Sequence, residues 1–314
     1  MSIIVTTHDT RELTLRCLAS VHAACAPGSV EIVLVDDGSN DGTEEAVGRR
    51  YPVVRVVSIA PSGGFTAAAN RGMAEGRGEL LFLLNSDTEV ETEAIPRLLG
   101  AFEDNPRLGV AGAELWHPDG RPQWSAGRVP TALWLFVVAS GLAGPLERLP
   151  GYRRVRPVTT GGRRRVDWVC GAAMIVRREA WQAAGGFDER FRFYCQDLDL
   201  CLRLRDAGWQ VAVVSGARVT HHVGATIGRR PGAVGGRYHP MLLWTDLVRW
   251  AAKRRGLRGA EESARLLRLG GRLRVGTRRL ILPFLPVGRR EQWRCETQAF
   301  QQALAALAPG APAP

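Results

Sequence analysis

The sequence has almost no lysine. Among its 314 residues only Lys253 is a lysine, so that nearly all of the 42 basic side chains are arginines. They outnumber the 31 acidic residues and leave a formal net charge of +11. An excess of this size indicates a polyanionic partner, such as nucleic acid, an anionic membrane or a phosphorylated substrate.

The positive charge is concentrated at the C-terminal end. Residues 241–314 contain 14 basic and 5 acidic side chains, whereas residues 1–240 contain 28 and 26. A nucleic-acid-binding domain is expected to spread its basic residues over the folded body. The distribution instead predicts a nearly neutral catalytic or binding body with a basic attachment.

Cysteine pairs and long apolar runs are also missing. The six cysteines form no CxxC pair and no zinc-like spacing with histidine, which predicts reduced thiols in a cytosolic protein. We expect no secretion, because no apolar leader precedes the first strand-like run. The longest apolar stretch, 132–144, is shorter than the roughly 20 residues that cross a bilayer. It is compatible with an acceptor-side flap, a membrane contact or a buried segment.

The usual nucleotide-binding glycine motifs are absent as well. No GxGxxG follows the first predicted strand, and no GxxxxGK[ST] occurs anywhere in the chain. A Rossmann dinucleotide site and a P-loop are therefore excluded.

The chain does contain an alternation of β-branched runs and helical patterns, which is typical of a parallel sheet covered on both faces. The predicted strands are 3–6, 31–36, 53–58, 79–84 and 170–176, and the predicted helices are 11–24 with Thr10 as N-cap, 42–50, 66–76, 177–184 and one ending near 207. In such sheets ligands bind beyond the carboxyl ends of the strands.

Polar and small residues follow four of these strands. Asp36 and Asp37 can accept hydrogen bonds from a base or ribose, and a Gly63-Gly64 pair lets backbone approach a ligand. Asp87 offers a hard oxygen ligand for Mg²⁺ or Mn²⁺. Strand ends are polar in many proteins, but four such segments on one edge favour a ligand site.

The second half supplies a carboxylate pair at a predicted helix start. Asp197 is a candidate general base, whereas Asp199 can form an ion pair with Arg203 four residues later. Both also suit the helix dipole without any catalytic role. Of His221 and His222, at most one is expected to reach a shared metal, because adjacent strand residues point to opposite faces.

Together these segments resemble the family 2 inverting glycosyltransferases of GT-A fold, in particular their bacterial rhamnosyltransferase-like branch. The resemblance covers about residues 2–240. Its motifs are IVTTHD at 4–9, VDDGSNDGT at 35–43, GGF at 63–65 with NRG at 70–72, LLNSDTE at 83–89, GGFDERF at 185–191, QDLDL at 196–200, and His221.

The resemblance implies a role for each matching residue. Donor binding is implied for Thr6, Asp36, Asp37, Gly63, Gly64, Asn70, Asn85 and Ser86. Asp87 and His221 are the implied ligands of Mg²⁺ or Mn²⁺, and Asp197 is the implied catalytic base. The chain departs from the family pattern at Asn85, the first position of D-x-D, and at Gln196, where the family has glutamate.

On the acceptor side we expect Trp168, Gly171, Ala172 and Asp199. An aromatic face suits the C–H face of a sugar, and a buried core position for Trp168 is an equal alternative.

For domain organisation we expect a GT-A catalytic domain over 1–240, with a nucleotide-sugar half (1–115) and an acceptor half (116–240). A basic helical tail over 241–314 follows, and its last residues are expected to be disordered. Residues 242–255 read as an amphipathic helix in which Trp244 and Trp250 face a membrane surface or pack on the body. Residues 280–287 are either a shallow insertion point or a buried turn.

The resulting hypothesis is an inverting, metal-dependent transfer from a UDP- or dTDP-linked sugar, with a rhamnosyl donor favoured, to an acceptor hydroxyl in cell-surface polysaccharide or glycolipid synthesis. Such an enzyme would act in the cytoplasm at the inner face of the plasma membrane, without a nucleic-acid partner. The alternatives are a catalytically silent nucleotide-sugar-binding protein, motivated by Gln196 and Asn85, and a nucleic-acid-binding protein with a basic tail.

Overall fold

A computed structural model describes residues 1–143, 164–191, 193–225, 228, 231–235 and 238–308. The chain forms two compact units: unit 1 consists of Met1–Val129 and Pro157–Val223, and unit 2 of Pro130–Arg156 and Gly224–Pro314. This division differs from the predicted boundary after residue 240, because a segment from the middle of the chain packs with the C-terminal helices. The predicted disorder of the last residues falls outside the described part of the chain.

Unit 1 is built on a nine-stranded sheet. Along it the strand order is β3-β2-β1-β4-β10-β6-β11-β5, with β8 paired to β11. The strands are β1 (Ser2–Thr7), β2 (Glu31–Asp36), β3 (Arg55–Ser58), β4 (Leu80–Asn85), β5 (Thr88–Val90), β6 (Leu108–Trp116), β8 (Arg164–Arg165), β10 (Ala173–Arg177) and β11 (Gln210–His221). A separate pair joins β7 (Ala126–Gly127) to β9 (Trp168–Val169).

The strand pairing is parallel from β3 through β4, and again between β6 and β11. Strand β10 runs antiparallel to both β4 and β6 and so joins the two parallel parts. This confirms the predicted mostly parallel sheet. The junction matters for the site, because the segment that leads into β10 meets the carboxyl end of β4.

Helices cover both faces of this sheet, as predicted. They are α1 (Arg11–Ala24), α2 (Thr43–Arg50), α3 (Phe65–Glu75), α4 (Ala94–Glu103), α6 (Arg178–Ala184) and α7 (Gln196–Asp206). One buried cluster contains residues of α1 and α4, and the other contains residues of α3, α6 and α7. Gly72 shows how closely α3 approaches the strands, since a Cβ there would lie 2.3 Å from a methyl carbon of Ile4.

The described part of unit 2 is mainly helical and contains α5 (Ala132–Ser140), α8 (Pro240–Ile281), a short 3-10 helix (Leu282–Phe284) and α9 (Val287–Ala306). Helix α8 is interrupted at Gly256, whose φ of 69° is not helical. Trp244 and Trp250 are each only 1% exposed. The expectation that they face a membrane is therefore wrong, because they belong to the core of unit 2, where the Trp244 ring lies against Phe300.

A pair of glycines lets these helices meet. A Cβ on Gly270 would lie 2.6 Å from the carbonyl oxygen of Phe136 on α5, and one on Gly271 would lie 2.7 Å from the ring of Trp244. Segment 132–140 is thus packed on α8, which matches the buried alternative for this apolar stretch. None of the described helices is both long enough and apolar enough to span a membrane.

Candidate active site

The carboxyl ends of β1, β2 and β4 bring the predicted donor residues together. Thr6 is the register partner of Asn85, and Thr7 that of Asp36. Thr6 and Asp36 are 7% and 4% exposed. Asp36 accepts a hydrogen bond from the backbone N–H of Ser39 at 2.7 Å, which orders the turn after β2.

Asp37 organises the glycine segment. Its Oδ1 accepts from the N–H of Gly63 at 2.7 Å, and its Oδ2 accepts from the N–H of Gly64 at 2.9 Å and the hydroxyl of Ser62 at 2.7 Å. Both N–H groups of the glycine pair therefore bind a carboxylate of the protein. This geometry gives Asp37 a structural function, and direct donor contacts by these residues remain a prediction.

A buried set of hydroxyl groups ties α1 to the loop after β4. The Ser86 Oγ lies 2.8 Å from Thr10 Oγ1, and Thr7 Oγ1 lies within 3.0 Å of both Thr10 and Thr14. Thr10 occupies the N-cap position of α1, but its side chain makes no cap hydrogen bond. The predicted N-cap position is therefore confirmed, although the hydroxyl group points into this network and not to the helix backbone.

Asp87 and His221 are brought together as predicted. Strand β11 pairs with β5, and the His221 Nε2 lies 3.3 Å from Asp87 Oδ1 with both side chains largely buried. His222 contacts a different carboxylate, Glu89, at 2.6 Å. The two adjacent histidines thus reach different groups, as the strand geometry requires.

Gln123 is a residue that the sequence did not predict to be in the site. It fixes which ring nitrogen of His221 carries the proton. Its Nε2 donates to the backbone carbonyls of His221 at 2.5 Å and Trp116 at 3.1 Å. Carbonyls only accept, so the amide Oε1 must face His221 Nδ1, 3.0 Å away, and Nδ1 must carry a proton. In neutral His221 the Nε2 lone pair then faces the Asp87 carboxylate.

Two acceptors that face each other at 3.3 Å are stable only when a proton or a cation lies between them. A carboxylate and an imidazole nitrogen are both suitable ligands for Mn²⁺, and Mg²⁺ in proteins is held through one or two carboxylates together with substrate phosphates. The described residues contain no cluster of three or more potential metal ligands. Asp87 and His221 supply one carboxylate and one imidazole, so a cation held by them would need further ligands, such as substrate phosphates.

Asp197 lies at the start of α7 and is held by two backbone groups. Its Oδ2 accepts from the N–H of Gly171 at 3.0 Å, and its Oδ1 accepts from the N–H of Leu198 at 2.8 Å. Burial raises the pKa of Asp197 above the ordinary aspartate value, and these hydrogen bonds oppose the rise without cancelling it. A raised pKa brings a carboxylate closer to the strength that a general base requires.

The residue before α7 adopts an unusual backbone conformation. Cys195 has φ 66° and ψ −4°, in the left-handed region that side chains other than glycine rarely occupy. Such conformations cost about 1–3 kcal/mol and cluster at functional sites. The turn sets the direction in which α7 presents Asp197. A single sequence carries no signal for it.

The metal-binding and base candidates share one edge of the sheet. The Asn85 N–H donates to the carbonyl of Ala172 at 3.0 Å, which joins the end of β4 to the segment that holds Asp197. Burial raises the pKa of the Cys170 thiol to about 12, and the negative charges of Asp197 and Asp87 contribute to the rise. Asp87 and Asp197 therefore belong to neighbouring segments at this edge of the sheet.

Two buried acceptors at this edge have no partner in the described structure. They are the Oδ1 of Asn85 and the Oε1 of Gln196. An unpaired buried acceptor costs about 1–3 kcal/mol, so such groups often await a ligand. Both lie at the positions where the sequence departs from the family pattern.

Other predicted site residues make contacts within the protein. Asn70 donates to and accepts from the backbone of Phe187 at 3.0 and 2.9 Å. Asp199 forms the anticipated ion pair with Arg203 at 2.8 Å. The Trp168 Nε1 donates to the carbonyl of Arg128 at 3.1 Å, and its ring meets Trp124 edge-on. Donor contacts by Asn70 and acceptor contacts by Asp199 and Trp168 stay predictions.

Comparison with known proteins identifies the family of this site. The model of Glycosyl transferase family 2 matches residues 2–177, and that of Glycosyl transferase family group 2 matches residues 151–285. The chain is a family 2 glycosyltransferase. This membership confirms the resemblance and the prediction of an enzyme, and it disfavours the nucleic-acid-binding alternative.

Relatives of this glycosyltransferase include rhamnosyltransferases. The N-acetylglucosaminyl-diphospho-decaprenol L-rhamnosyltransferase of Mycobacterium tuberculosis is 33% identical over 251 residues, which cover 74% of this chain and 78% of the relative. The O-antigen biosynthesis protein RfbC of Myxococcus xanthus is 31% identical over 243 residues, which cover 74% of this chain and 18% of that protein.

Solved structures confirm the GT-A-like fold. The mannosyltransferase PcManGT from Pyrobaculum calidifontis, in complex with GDP-Man and Mn²⁺, superposes with a TM-score of 0.58 at 14% identity and covers 98% of this chain and 86% of that one. GalNAc-T7 with UDP, GalNAc and Mn²⁺ gives a TM-score of 0.56 at 16% identity, with coverage of 100% and 58%.

Proposed function

We propose that this glycosyltransferase inverts the anomeric centre of a nucleotide-diphosphate sugar with the help of a divalent cation. The observation that carries the proposal is the convergence of Asp87 and Asp197 at one sheet edge. A cation ligand and a base on neighbouring segments suit a sugar whose leaving group faces one and whose attacking hydroxyl faces the other.

Asp87 and His221 would hold Mg²⁺ or Mn²⁺ together with the donor diphosphate. The bound cation would neutralise the charge that develops on the departing nucleoside diphosphate. Thr6, Asp36, Asn85 and Ser86 would line the base, ribose and sugar, while Asp37 would order the segment around Gly63 and Gly64. On the acceptor side we place Trp168, Gly171 and Ala172.

Asp197 would act as the base. It takes the proton of the acceptor hydroxyl while the new bond from that oxygen to the anomeric carbon forms and the bond from this carbon to the diphosphate oxygen breaks. Attack from the face opposite the leaving group inverts the anomeric centre. The unpaired acceptors on Asn85 and Gln196 would receive hydrogen bonds from substrate hydroxyl groups.

The choice of substrates rests on the relatives. Because a relative covering most of this chain is named as a rhamnosyltransferase acting on a decaprenol-diphosphate-linked sugar, we propose a dTDP- or UDP-linked rhamnosyl donor and a lipid-diphosphate-linked glycan acceptor. With such an acceptor, we propose that the enzyme works at the cytoplasmic face of the membrane as a peripheral protein.

The test combines a donor panel with synthetic prenyl-diphosphate acceptors in Mn²⁺ or Mg²⁺. We expect nucleoside diphosphate release that depends on the acceptor, and a product whose anomeric configuration by NMR is opposite to that of the donor. Retention of configuration would overturn the mechanism. Calorimetric binding of nucleotide without turnover on any acceptor would instead favour the silent alternative.

A further inference from the structure

Unit 2 carries an exposed apolar surface at the end of α8. Phe284, in the turn that joins α8 to α9, is 87% exposed. Leu280 in the last turn of α8 is 74% exposed, and Val287 at the start of α9 is 79% exposed. Leu269 and Leu273 extend this surface along the helix. Leu269, Leu273 and Leu280 are separated by four and seven residues, so they lie within about 40° of one another around the helix axis. We name the exposed residues Leu269, Leu273, Leu280, Ile281, Phe284 and Val287 the apolar stripe.

A column of arginines borders the apolar stripe. Arg265, Arg272 and Arg279 repeat every seven residues on α8 and are exposed. Viewed down the helix axis, these arginines lie next to the leucines of the apolar stripe. From residue 263 to residue 290 the sequence contains eight arginines and no acidic residue. Arg278 of this run is buried and paired with Glu296 at 2.6 Å. The surface therefore combines apolar side chains with the positive charge of the exposed Arg265, Arg272 and Arg279.

Hydrogen bonds within the protein satisfy backbone carbonyl groups of the turn. Arg290 donates from Nε to the carbonyl of Leu285 at 2.9 Å and from a terminal nitrogen to that of Pro283 at 3.0 Å. Pro283 and Pro286 have no N–H group to satisfy. Backbone groups without partners are costly in an apolar medium, so these contacts lower the cost of inserting the turn into lipid.

We propose that the apolar stripe and its arginine column form the surface by which this chain docks on an anionic phospholipid bilayer. The turn enters the boundary between headgroups and acyl chains, while the arginines contact lipid phosphates. A second copy of the chain fits less well, because a symmetric interface would bring the two arginine columns together. This proposal rests on the peripheral membrane attachment proposed above and assigns the residues responsible.

The experiment is flotation of the full-length chain with vesicles of 30% phosphatidylglycerol in phosphatidylcholine, compared with phosphatidylcholine alone. We expect binding to the anionic vesicles that weakens with salt. Phe284→Ser with Val287→Ser should reduce binding at least ten-fold. Leu257→Ser is the matched control, since Leu257 is 80% exposed on the same helix but lies away from the apolar stripe.

Charge is tested separately. Arg272→Gln with Arg279→Gln should weaken binding to anionic vesicles by more than ten-fold, whereas Arg49→Gln with Arg107→Gln, which changes net charge equally in unit 1, should have little effect. Equal losses in both pairs, or full binding by the turn variant, would overturn the assigned surface but leave peripheral attachment standing.

Absence of vesicle binding by the wild-type chain would overturn both the surface and the membrane attachment, without bearing on sugar transfer in solution. Sedimentation velocity tests whether a second copy of the chain binds to the apolar stripe instead of lipid. If the wild-type chain is dimeric without lipid and the turn variant is monomeric, the apolar stripe is a self-association surface and the lipid proposal fails.

Discussion

The carboxylate of Asp197, the proposed base, is held by two backbone contacts that do not neutralise its charge. The N–H groups of Gly171 and Leu198 fix the orientation of the two oxygens. Asp199, two residues along the same helix, is instead paired with Arg203. The two carboxylates therefore have different environments, and burial raises the pKa of Asp197 in the direction that suits proton abstraction.

Replacing Asp197 by asparagine should remove catalysis but not donor binding. An amide cannot take the hydroxyl proton, so we expect the transfer rate to fall by about 10²–10⁴-fold, the range of a general base. Calorimetry should report nucleotide affinity within a few-fold of wild type. A variant that transfers sugar at the wild-type rate would remove Asp197 from the mechanism.

The raised pKa of Asp197 also predicts the pH dependence of stability. A carboxyl group whose pKa is higher in the folded than in the unfolded state favours folding below the unfolded-state pKa and loses this contribution as pH rises through the folded-state value. Asparagine does not titrate. The unfolding free energy of Asp197→Asn minus that of the wild type should therefore increase as pH rises from about 3 through the raised pKa. Denaturant titrations at several pH values measure the unfolding free energies of both proteins. A difference between them that does not change with pH would contradict the raised pKa of Asp197.

Gln123 should control cation binding through His221. Gln123→Leu removes the acceptor that holds the proton on Nδ1, so Nε2 is no longer kept free to face Asp87. We expect Mn²⁺ affinity in the presence of nucleotide to fall about 10–100-fold, measured by electron paramagnetic resonance of free Mn²⁺. Gln182→Leu, at an exposed position in α6, is the control. Unchanged affinity in Gln123→Leu together with an unchanged ¹⁵N tautomer pattern for His221 would refute this function.

At the scale of the elements, α5 and α8 of unit 2 cross closely at Gly270. At Gly270 a Cβ would lie 2.6 Å from backbone on α5, whereas at Gly276 on the same helix it would meet nothing within 4 Å. The two glycines therefore differ in packing while sharing a helical backbone.

This difference predicts opposite effects of alanine. Gly270→Ala should lower the unfolding free energy by about 1–3 kcal/mol, the usual cost of overpacking. Gly276→Ala should raise it by up to about 1 kcal/mol, because alanine favours the helix. Urea denaturation followed by circular dichroism measures both. Similar shifts of the same sign would show that α5 does not pack tightly at Gly270.

The elements that the sequence predicts well are those whose pattern is local. The strands that end at Asp36 and Asn85 and the helix that begins at Gln196 follow from apolar periodicity and turn residues. Strand β6 was missed although it is central, since its run 108–116 is apolar on both faces of the sheet. For such runs periodicity does not separate strand from buried helix.

The candidate site shows the same limit. Asp87, His221 and Asp197 could be proposed from residue type and motif, but the partner of each depends on tertiary contacts. Gln123 lies 98 residues from His221, and no spacing rule connects them. The interfacial interpretation of Trp244 failed for a related reason, because amphipathicity indicates an apolar face without saying what covers it.

At the scale of the whole molecule, most of the charge excess of +11 lies in residues 241–314, outside the part of the chain that contains the candidate site. In the proposed mechanism the diphosphate is handled by carboxylates, a histidine and a cation. The nearly neutral N-terminal 240 residues agree with that, because a cation-based site needs acidic ligands rather than a basic patch. The arginines of 241–314 are left to contact a different anion, which we have proposed to be phospholipid.

Ligand and metal should act together on the stability of the whole chain. A ligand that binds only the folded state at 100 times its Kd adds about 2.7 kcal/mol, which corresponds to roughly 5–10 °C in Tm for a unit of this size. We expect that shift from the matching nucleoside diphosphate with Mn²⁺, and little shift in EDTA, because in the proposed site Asp87 and His221 would reach the phosphates only through the cation. Asp87→Asn should lose the Mn²⁺-dependent part, and Glu91→Gln, at an exposed neighbouring position, should keep it. An equal shift with Mn²⁺ and EDTA would mean that the nucleotide binds without metal, and the pairing of Asp87 with His221 would then be a structural contact.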